Sequence, residues 1–426
     1  MDCYHVEAWD ILQNLFKVKK INNHVLHFAA EFSSELDFEC IKKAVGLLSG
    51  GFPLICCGYA ENGCRRPVWV DKGYQPEDIA SLIETEDSAE STRKFLCQEI
   101  DQKNGPQMKI GVIRSENTDT LCIIINHMLC DAAGFKDVLY TLSSIYTHLE
   151  KREKVQVGSM IKDRSIGQIL KKQSLPGRMK IYGSKNRLNP HGNQKFDFEG
   201  DLSNPFITAR KIPREQFRLI KGYAKSHGAS INDVMLTAFL RVLFHMFGCT
   251  AALPCAIDLR RFLPGRSAGS VCNLVSNLSC DIGPDIGSSF EDTLSRVKRE
   301  MDFQKTNPGS IKNMAILEKL FCVFPYKIAF GILKSYFSNP PIAFTNIGIL
   351  DKKRLVFGNT EMTGSFMTGS IKYNPFFQVS LSTFDDEAVL CVNLYGTEND
   401  EKKIDKFLND FIAELDDGIL RRPRPC

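Results

Sequence analysis

The chain has 426 residues, enough for two or three domains. Its composition, 43% hydrophobic and 24% charged, excludes a disordered, collagen-like or coiled-coil chain. Lys plus Arg number 54 against 50 Asp plus Glu, and a net charge of +4 gives no global signature of nucleic-acid binding. No run of about 18 apolar residues occurs, so no transmembrane helix is expected. The start, Met1-Asp2-Cys3-Tyr4-His5, carries an acid and no apolar run, unlike a signal peptide. The 15 cysteines are then expected as free thiols in a reducing cytoplasm. Cys56, Cys57 and Cys64 cluster without a histidine close behind, so they read as small buried hydrophobes and no metal site is expected.

In chain order, His24–Phe32 reads as a strand. Asp37 caps a helix with Phe38, Ile41, Val45 and Leu48 on one face. Met108–Arg114 and Leu121–Asn126 read as strands joined by the polar turn Ser115–Thr120. A long helix follows, with Phe135, Val138, Leu139, Leu142, Ile145, Tyr146 and Leu149 at helical spacing. Lys171–Lys195 holds seven basic residues, no acidic one, and several prolines and glycines. It reads as a linker or crossover. Its charge fits a solvated surface, or a landing strip for an acidic carrier protein or a phosphate-bearing cofactor. Beyond it, the strand Ile207–Ile212 leads through Pro213 into a helix with Phe217, Ile220 and Ala224 on one face. The two halves thus open on the same strand–helix unit. Ser230–Phe247 is a strongly apolar helix. Strands are expected at Leu253–Ile257, Ser276–Asp281, Ile342–Asn346, Phe376–Phe384 and Val389–Tyr395. Phe321–Phe337 is aromatic and apolar but interrupted by Pro325, Lys327 and Lys334, which fits a core helix better than a membrane-surface segment or a greasy channel. A final helix spans about Asp400–Asp416. The class is α/β (α+β) in both halves.

One segment carries chemistry, Leu121–Gly134, LCIIINHMLCDAAG. A buried strand runs straight into Asn126 and His127, and Asp131 follows where the chain turns into a helix. A histidine held at a strand end, with an ordinary pKa near ~6.5, suits a general base at neutral pH. Asp131 can orient the turn by pairing with a cation, or simply cap the helix. Taken alone, H-x-x-x-D is a common spacing, and a strand-end histidine is more often structural.

The context of NHMLCDA adds to this. It resembles the HHxxxDG motif of the chloramphenicol acetyltransferase-like superfamily, which includes condensation domains of nonribosomal peptide synthetases, alcohol acetyltransferases, plant BAHD acyltransferases and wax ester synthases. GASINDVML at Gly228–Leu236, AIDLRRFLP at Ala256–Pro264 and FTNIGIL at Phe344–Leu350 resemble three further motifs in the family's order. Asn126 stands where the first histidine would, and Ala132 where the glycine would, with Gly134 two further on. The NHMLCDAAGF form looks closest to stand-alone bacterial or archaeal condensation and alcohol-acetyltransferase-like proteins, and no DFGWG segment of plant BAHD enzymes or PLW-like segment of wax ester synthases occurs.

The resemblance implies two chloramphenicol-acetyltransferase-like lobes, each a mixed sheet with helices, forming a V-shaped pseudo-dimer with a tunnel between them. Residues 1–170 would form the first lobe, 171–205 a basic crossover and 206–426 the second lobe. His127 would be the general base. Asp131 would be structural and paired with Arg260, or failing that Arg261. Asn126, Gly134, Asn232 and Asn346 would line or brace the tunnel. The activity would be acyl transfer to a hydroxyl or amine of a small-molecule acceptor. No bound cofactor or metal is implied, and an acyl-CoA or a phosphopantetheinyl carrier protein would bring the acyl group as co-substrate. Cys130 is disfavoured as a nucleophile, since nothing near it in sequence would lower its pKa. The competing readings are a catalytically silent protein that binds a carrier protein or hydrophobic ligand, and a purely structural role.

Overall fold

A computed structural model describes residues 2–184 and 194–419. Lys185 and Arg187 of the basic segment, and the last seven residues of the chain, lie outside the described residues.

The first lobe is built on a five-stranded sheet in the order Met362–Thr368, Val25–Phe32, Thr118–Asn126, Met108–Ser115, Ala80–Glu84. Only the last pair is parallel. The run CIIIN has a simple cause: both faces of its strand are covered. Leu121, Ile123 and Ile125 enter the main core, where the helices Phe38–Gly51 and Ala132–Glu150 also bury their apolar faces. Cys122 and Ile124 point the other way, against Phe95, Leu96 and Ile100 at and beyond the end of the helix Ser88–Leu96. Asp37 caps its helix as expected, its carboxylate accepting from the Cys40 N–H at 3.0 Å. A small side sheet joins Cys3–His5, Arg65–Asp71 and Cys57–Asn62 over the fully buried Trp69.

The second lobe holds a six-stranded sheet in the order Val275–Cys280, Leu253–Asp258, Ile342–Leu350, Phe377–Phe384, Glu387–Tyr395, Pro205–Ile212. Its helices include Arg214–Ser226, Ile231–Phe247, Phe290–Thr306 and Glu398–Ile419. Ser230 caps the second of these in a reciprocal box with Asp233. Phe239 on that helix meets Phe344, Phe377, Phe407 and Phe411, an aromatic cluster that ties two strands to the last helix.

The strand Met362–Thr368 lies in the second half of the sequence yet forms an edge of the first lobe's sheet, antiparallel to Val25–Phe32. Side chains seal the seam behind it. Thr368 Oγ1 bonds Ser380 Oγ at 2.8 Å and Asn393 Oδ1 at 3.1 Å, and the Met367 N–H donates to Ser382 Oγ at 3.1 Å.

A short helix at Gly167–Leu170 precedes the basic crossover, which carries a second at Leu175–Gly183, capped by Ser174. The aromatic segment splits at Pro325 into the end of Gly309–Val323 and the helix Tyr326–Tyr336. Phe321, Tyr326 and Ala329 are core, whereas Val323, Phe324, Ile328 and Tyr336 are exposed. No single helix among the described residues is long and apolar enough to cross a membrane.

Candidate active site

The strand Thr118–Asn126 delivers His127 to a tight turn that is bonded at almost every backbone group. Asn126 is fully buried, and its side chain is spent on that turn. Its Oδ1 accepts from the Met128 N–H at 2.9 Å, and its Nδ2 donates to Gln107 Oε1 at 2.7 Å. It therefore braces the loop. The alternation of side chains gives the reason. Asn126 keeps the direction of Cys122 and Ile124, away from the main core that Ile123 and Ile125 enter.

The His127 N–H donates to the carbonyl of His24 at 2.8 Å. Its carbonyl accepts from Asn273 Nδ2 at 2.9 Å. Its ring stacks on Trp9, centroids 6.1 Å apart at 12°, and Trp9 is fixed in turn by its indole N–H to the Val275 carbonyl. The ring is half-buried, and Nδ1 is sealed from solvent without an aligned partner. Burial holds the ring's pKa below the usual 6.5, and the charge of Lys372 works in the same direction. Backbone groups of His127 and Cys130 and the Asp131 carboxylate oppose it without prevailing. The ring is thus neutral at neutral pH and able to accept a proton.

Asp131 caps the helix Ala132–Glu150 and crosses to the second lobe with the same carboxylate. Oδ1 accepts from the Gly134 N–H at 2.9 Å. Oδ2 accepts from Arg260 Nη1 at 2.8 Å and from the Leu274 N–H at 2.7 Å. Arg260 also donates to the Cys272 carbonyl at 2.8 Å. Burial works to raise the Asp131 carboxyl, but the charge and hydrogen bond of Arg260 and the two backbone N–H groups hold it below the usual carboxylate range. Arg261 is exposed, so Arg260 is the partner. Gly134 is a packing position: a Cβ there would meet Cys130 Cβ at 2.8 Å and the Cys272 carbonyl at 3.1 Å. Burial pushes the Cys130 thiol well above its usual pKa, the opposite of what activates a thiol nucleophile.

Asn346 bonds the Gly348 N–H at 2.9 Å and stabilises an irregularity in its strand, beside which Lys136 reaches the Ile347 carbonyl at 3.0 Å. Asn232 sits half-buried in the first turn of its helix. Among the described residues, no hydrogen bond joins either asparagine to the His127 loop.

A second buried ion pair escaped sequence reasoning. Asp10 and Arg164 pair at 3.0 Å. Arg164 donates to the Leu129 carbonyl at 2.8 Å and the Val271 carbonyl at 3.1 Å. Asn273 Nδ2 joins Asp10 Oδ1 at 3.2 Å to the carbonyls of His127 and Met128. The His127 turn is therefore clamped between two ion pairs, each with an arginine donating to main-chain carbonyls.

His24 and His27 lie beneath the turn, fully buried, and burial holds them down to about 3 and about 4. A histidine lowered in the folded state takes up its proton more readily when unfolded. Stability is therefore full above pH 6.5 and is lost as the pH falls from 6.5 toward those values. Glu7, raised to about 7 by burial, works in the opposite direction. In a Glu7→Gln background, urea unfolding is expected to show roughly 3–4 kcal/mol less stability at pH 5 than at pH 7 from these two histidines. A flat profile would contradict their neutral burial.

No family model matches the chain. It is 25% identical over 211 residues to bacitracin synthase 1 of Bacillus licheniformis, 45% of this chain. With bacitracin synthase 3 of the same organism it shares 26% over 276 residues, 60% of this chain. It spans only 4% of the length of each. The first condensation domain of the CDA synthetase superposes with a TM-score of 0.71 at 12% identity, covering 98% of this chain and 97% of that one. The trichothecene 15-O-acetyltransferase of Fusarium sporotrichioides gives 0.69 at 13%, covering 97% and 95%. The chain thus shares the fold of that condensation domain and of that acetyltransferase.

Proposed function

We propose that the chain is an acyltransferase that moves an acyl group from a thioester to a hydroxyl or amine. The observation that carries this reading is the placement of His127. It is clamped at its backbone, stacked on Trp9, and has Nδ1 buried, which leaves Nε2 for substrate. The condensation domains and the acetyltransferase that share the fold support it by their names.

The thioester, on coenzyme A or on a phosphopantetheinyl carrier protein, places its carbonyl beside Nε2. The acceptor oxygen or nitrogen attacks the carbonyl carbon as His127 takes its proton. The tetrahedral intermediate collapses, the C–S bond breaks, and the thiolate leaves with the proton from Nε2. Holding both substrates against one base supplies much of the rate. Asp131 and Arg260 touch neither substrate and fix the loop. The same reading places the protein in the cytoplasm, with its cysteines as thiols.

The test is release of free thiol from a ladder of acyl-CoAs and an acylated carrier protein, with a mixed pool of alcohols and amines, in wild type and His127→Ala. Release by wild type alone is the expected result. Equal release by both proteins would overturn the role of His127. Trp9→Ala frees one side of the ring and is expected to lower turnover by about 10-fold, mainly in kcat, because the base is less well placed. Unchanged kcat would remove Trp9 from the positioning set.

A further inference from the structure

The helix Tyr326–Tyr336 is core on one side only. Tyr326, Ala329 and Leu333 face the main core. Tyr326 Oη meets Tyr59 Oη at 3.1 Å, Phe337 packs on Phe16 with centroids 5.3 Å apart, and Lys19 Nζ donates to the Phe337 carbonyl at 2.6 Å. The helix is thus fastened along one side and at its end.

Its other side is apolar too. Ile328 is 53% exposed and Tyr336 85%, with the half-buried Ile332 between them at four-residue spacing. Ahead of Pro325, Val323 is 70% and Phe324 44% exposed. Ile316, 48% exposed, shares a face of the helix Gly309–Val323 with Val323, two turns earlier. Exposed apolar side chains therefore follow one another over two consecutive helices and the bend that joins them.

The charges on these helices have one dominant sign. From Gly309 to Leu350 the chain holds Lys312, Lys319, Lys327 and Lys334 against one acid, Glu318, which is paired with Arg66 at 2.9 Å. Among the described residues, none of the four lysines has a carboxylate partner. Lys312 Nζ donates to the Ser184 carbonyl at 2.7 Å, and Lys319 Nζ lies 4.2 Å from the centroid of the Tyr182 ring. Those two contacts join the basic crossover to these helices. Its helix Leu175–Gly183 adds exposed Leu175 and Met179, two more cations, Arg178 and Lys180, and no acid.

Exposed apolar side chains gathered among charges mark a contact surface. The kind of cation points to the partner. Protein interfaces favour arginine and are depleted in lysine. At a lipid surface, a lysine lays its stem along apolar neighbours and keeps its ammonium among the headgroups. All four cations on the two helices are lysines. We propose that this face docks on an anionic lipid bilayer: Val323, Phe324, Ile328 and Tyr336 enter the boundary between headgroups and acyl chains, and the lysines pair with lipid phosphates. The protein then lies on the membrane, with no single helix crossing it. The proposal stands apart from acyl transfer and does not rest on it.

The test is flotation of the full chain with vesicles of phosphatidylcholine alone and of phosphatidylcholine mixed with phosphatidylglycerol. Binding to the anionic vesicles is expected to be at least about 10-fold tighter and to weaken as salt is raised. Changing the four lysines to glutamine should bring binding down to the level of the neutral vesicles. Val323→Ser, Phe324→Ser and Ile328→Ser together should weaken binding to anionic vesicles about 10-fold or more, even at low salt, with an unchanged circular dichroism spectrum. Tyr336→Trp disturbs the surface least. Its added emission, read against the wild-type signal, should shift to the blue on anionic vesicles. No binding to anionic vesicles, binding that survives the triple variant, or added emission that does not shift would overturn the proposal. So would self-association in sedimentation velocity that the triple variant abolishes, without lipid binding, since a second copy would then cover the face.

Discussion

His127→Ala is expected to lower thioester turnover by about 10²–10⁴-fold, the usual contribution of a positioned general base. The fold should survive the change. The loop is held by the His127 backbone, whose N–H and carbonyl bond His24 and Asn273 whatever the side chain. Alanine removes a half-buried ring and its stacking on Trp9, so a modest loss of stability accompanies the loss of rate. Circular dichroism and urea unfolding of the same sample separate the two effects. The pH profile adds a second check. With the ring's pKa lowered, kcat/KM should stay level as the pH falls through 6.5 and decline only below it. A decline that begins above pH 7 would point to another base.

The second large effect is on stability. Arg260→Met leaves the Asp131 carboxylate buried, with two backbone N–H groups and no counter-charge. Asp131→Ala leaves the guanidinium with only the more exposed Asp258 carboxylate at 3.2 Å and also uncaps a long helix. Breaking one partner of such a pair costs about 3–5 kcal/mol, and loss of the cap adds about 1 kcal/mol. The double variant should recover part of the loss, because the orphaned charge is gone. Urea midpoints of the full chain, with the slope unchanged, measure the coupling. A single change that costs under about 1 kcal/mol would show that the pair does not brace the site. Turnover should fall in both single variants, since Leu274 and Cys272 are anchored by the same pair.

The strands and helices that frame the site were legible because their signals are local. Asp37, Ser230 and Pro213 mark helix starts, and the paired apolar faces of the Thr118–Asn126 strand show in its unbroken run. The pairing of Asp131 with Arg260 came from the resemblance of two motifs, since nothing in their spacing brings them together. Asp10, Trp9, Arg164 and Asn273 carried no comparable mark. The bond between Asp10 and Asn273 spans 263 residues, and only the packed core brings them within reach. The bracing role of Asn126 has a cause the sequence does contain. Consecutive residues at a strand end point to opposite faces, so Asn126 and His127 do not share one. The strand Met362–Thr368 was missed because MTGSFMT is short, holds a glycine, and alternates only weakly.

That strand has a bearing on how the chain becomes a protein at all. Until residue 368 has left the ribosome, Val25–Phe32 lacks its outer neighbour and presents a row of unpaired N–H and C=O groups. The nascent first half is therefore an unfinished sheet with a sticky edge, waiting on a segment more than three hundred residues downstream. Closing so distant a contact is slow, and the open edge is exposed to other chains throughout. The two lobes are consequently not separable modules. A fragment cut at the basic crossover would lack a strand it needs, and the remainder would carry a strand with nothing to pair with.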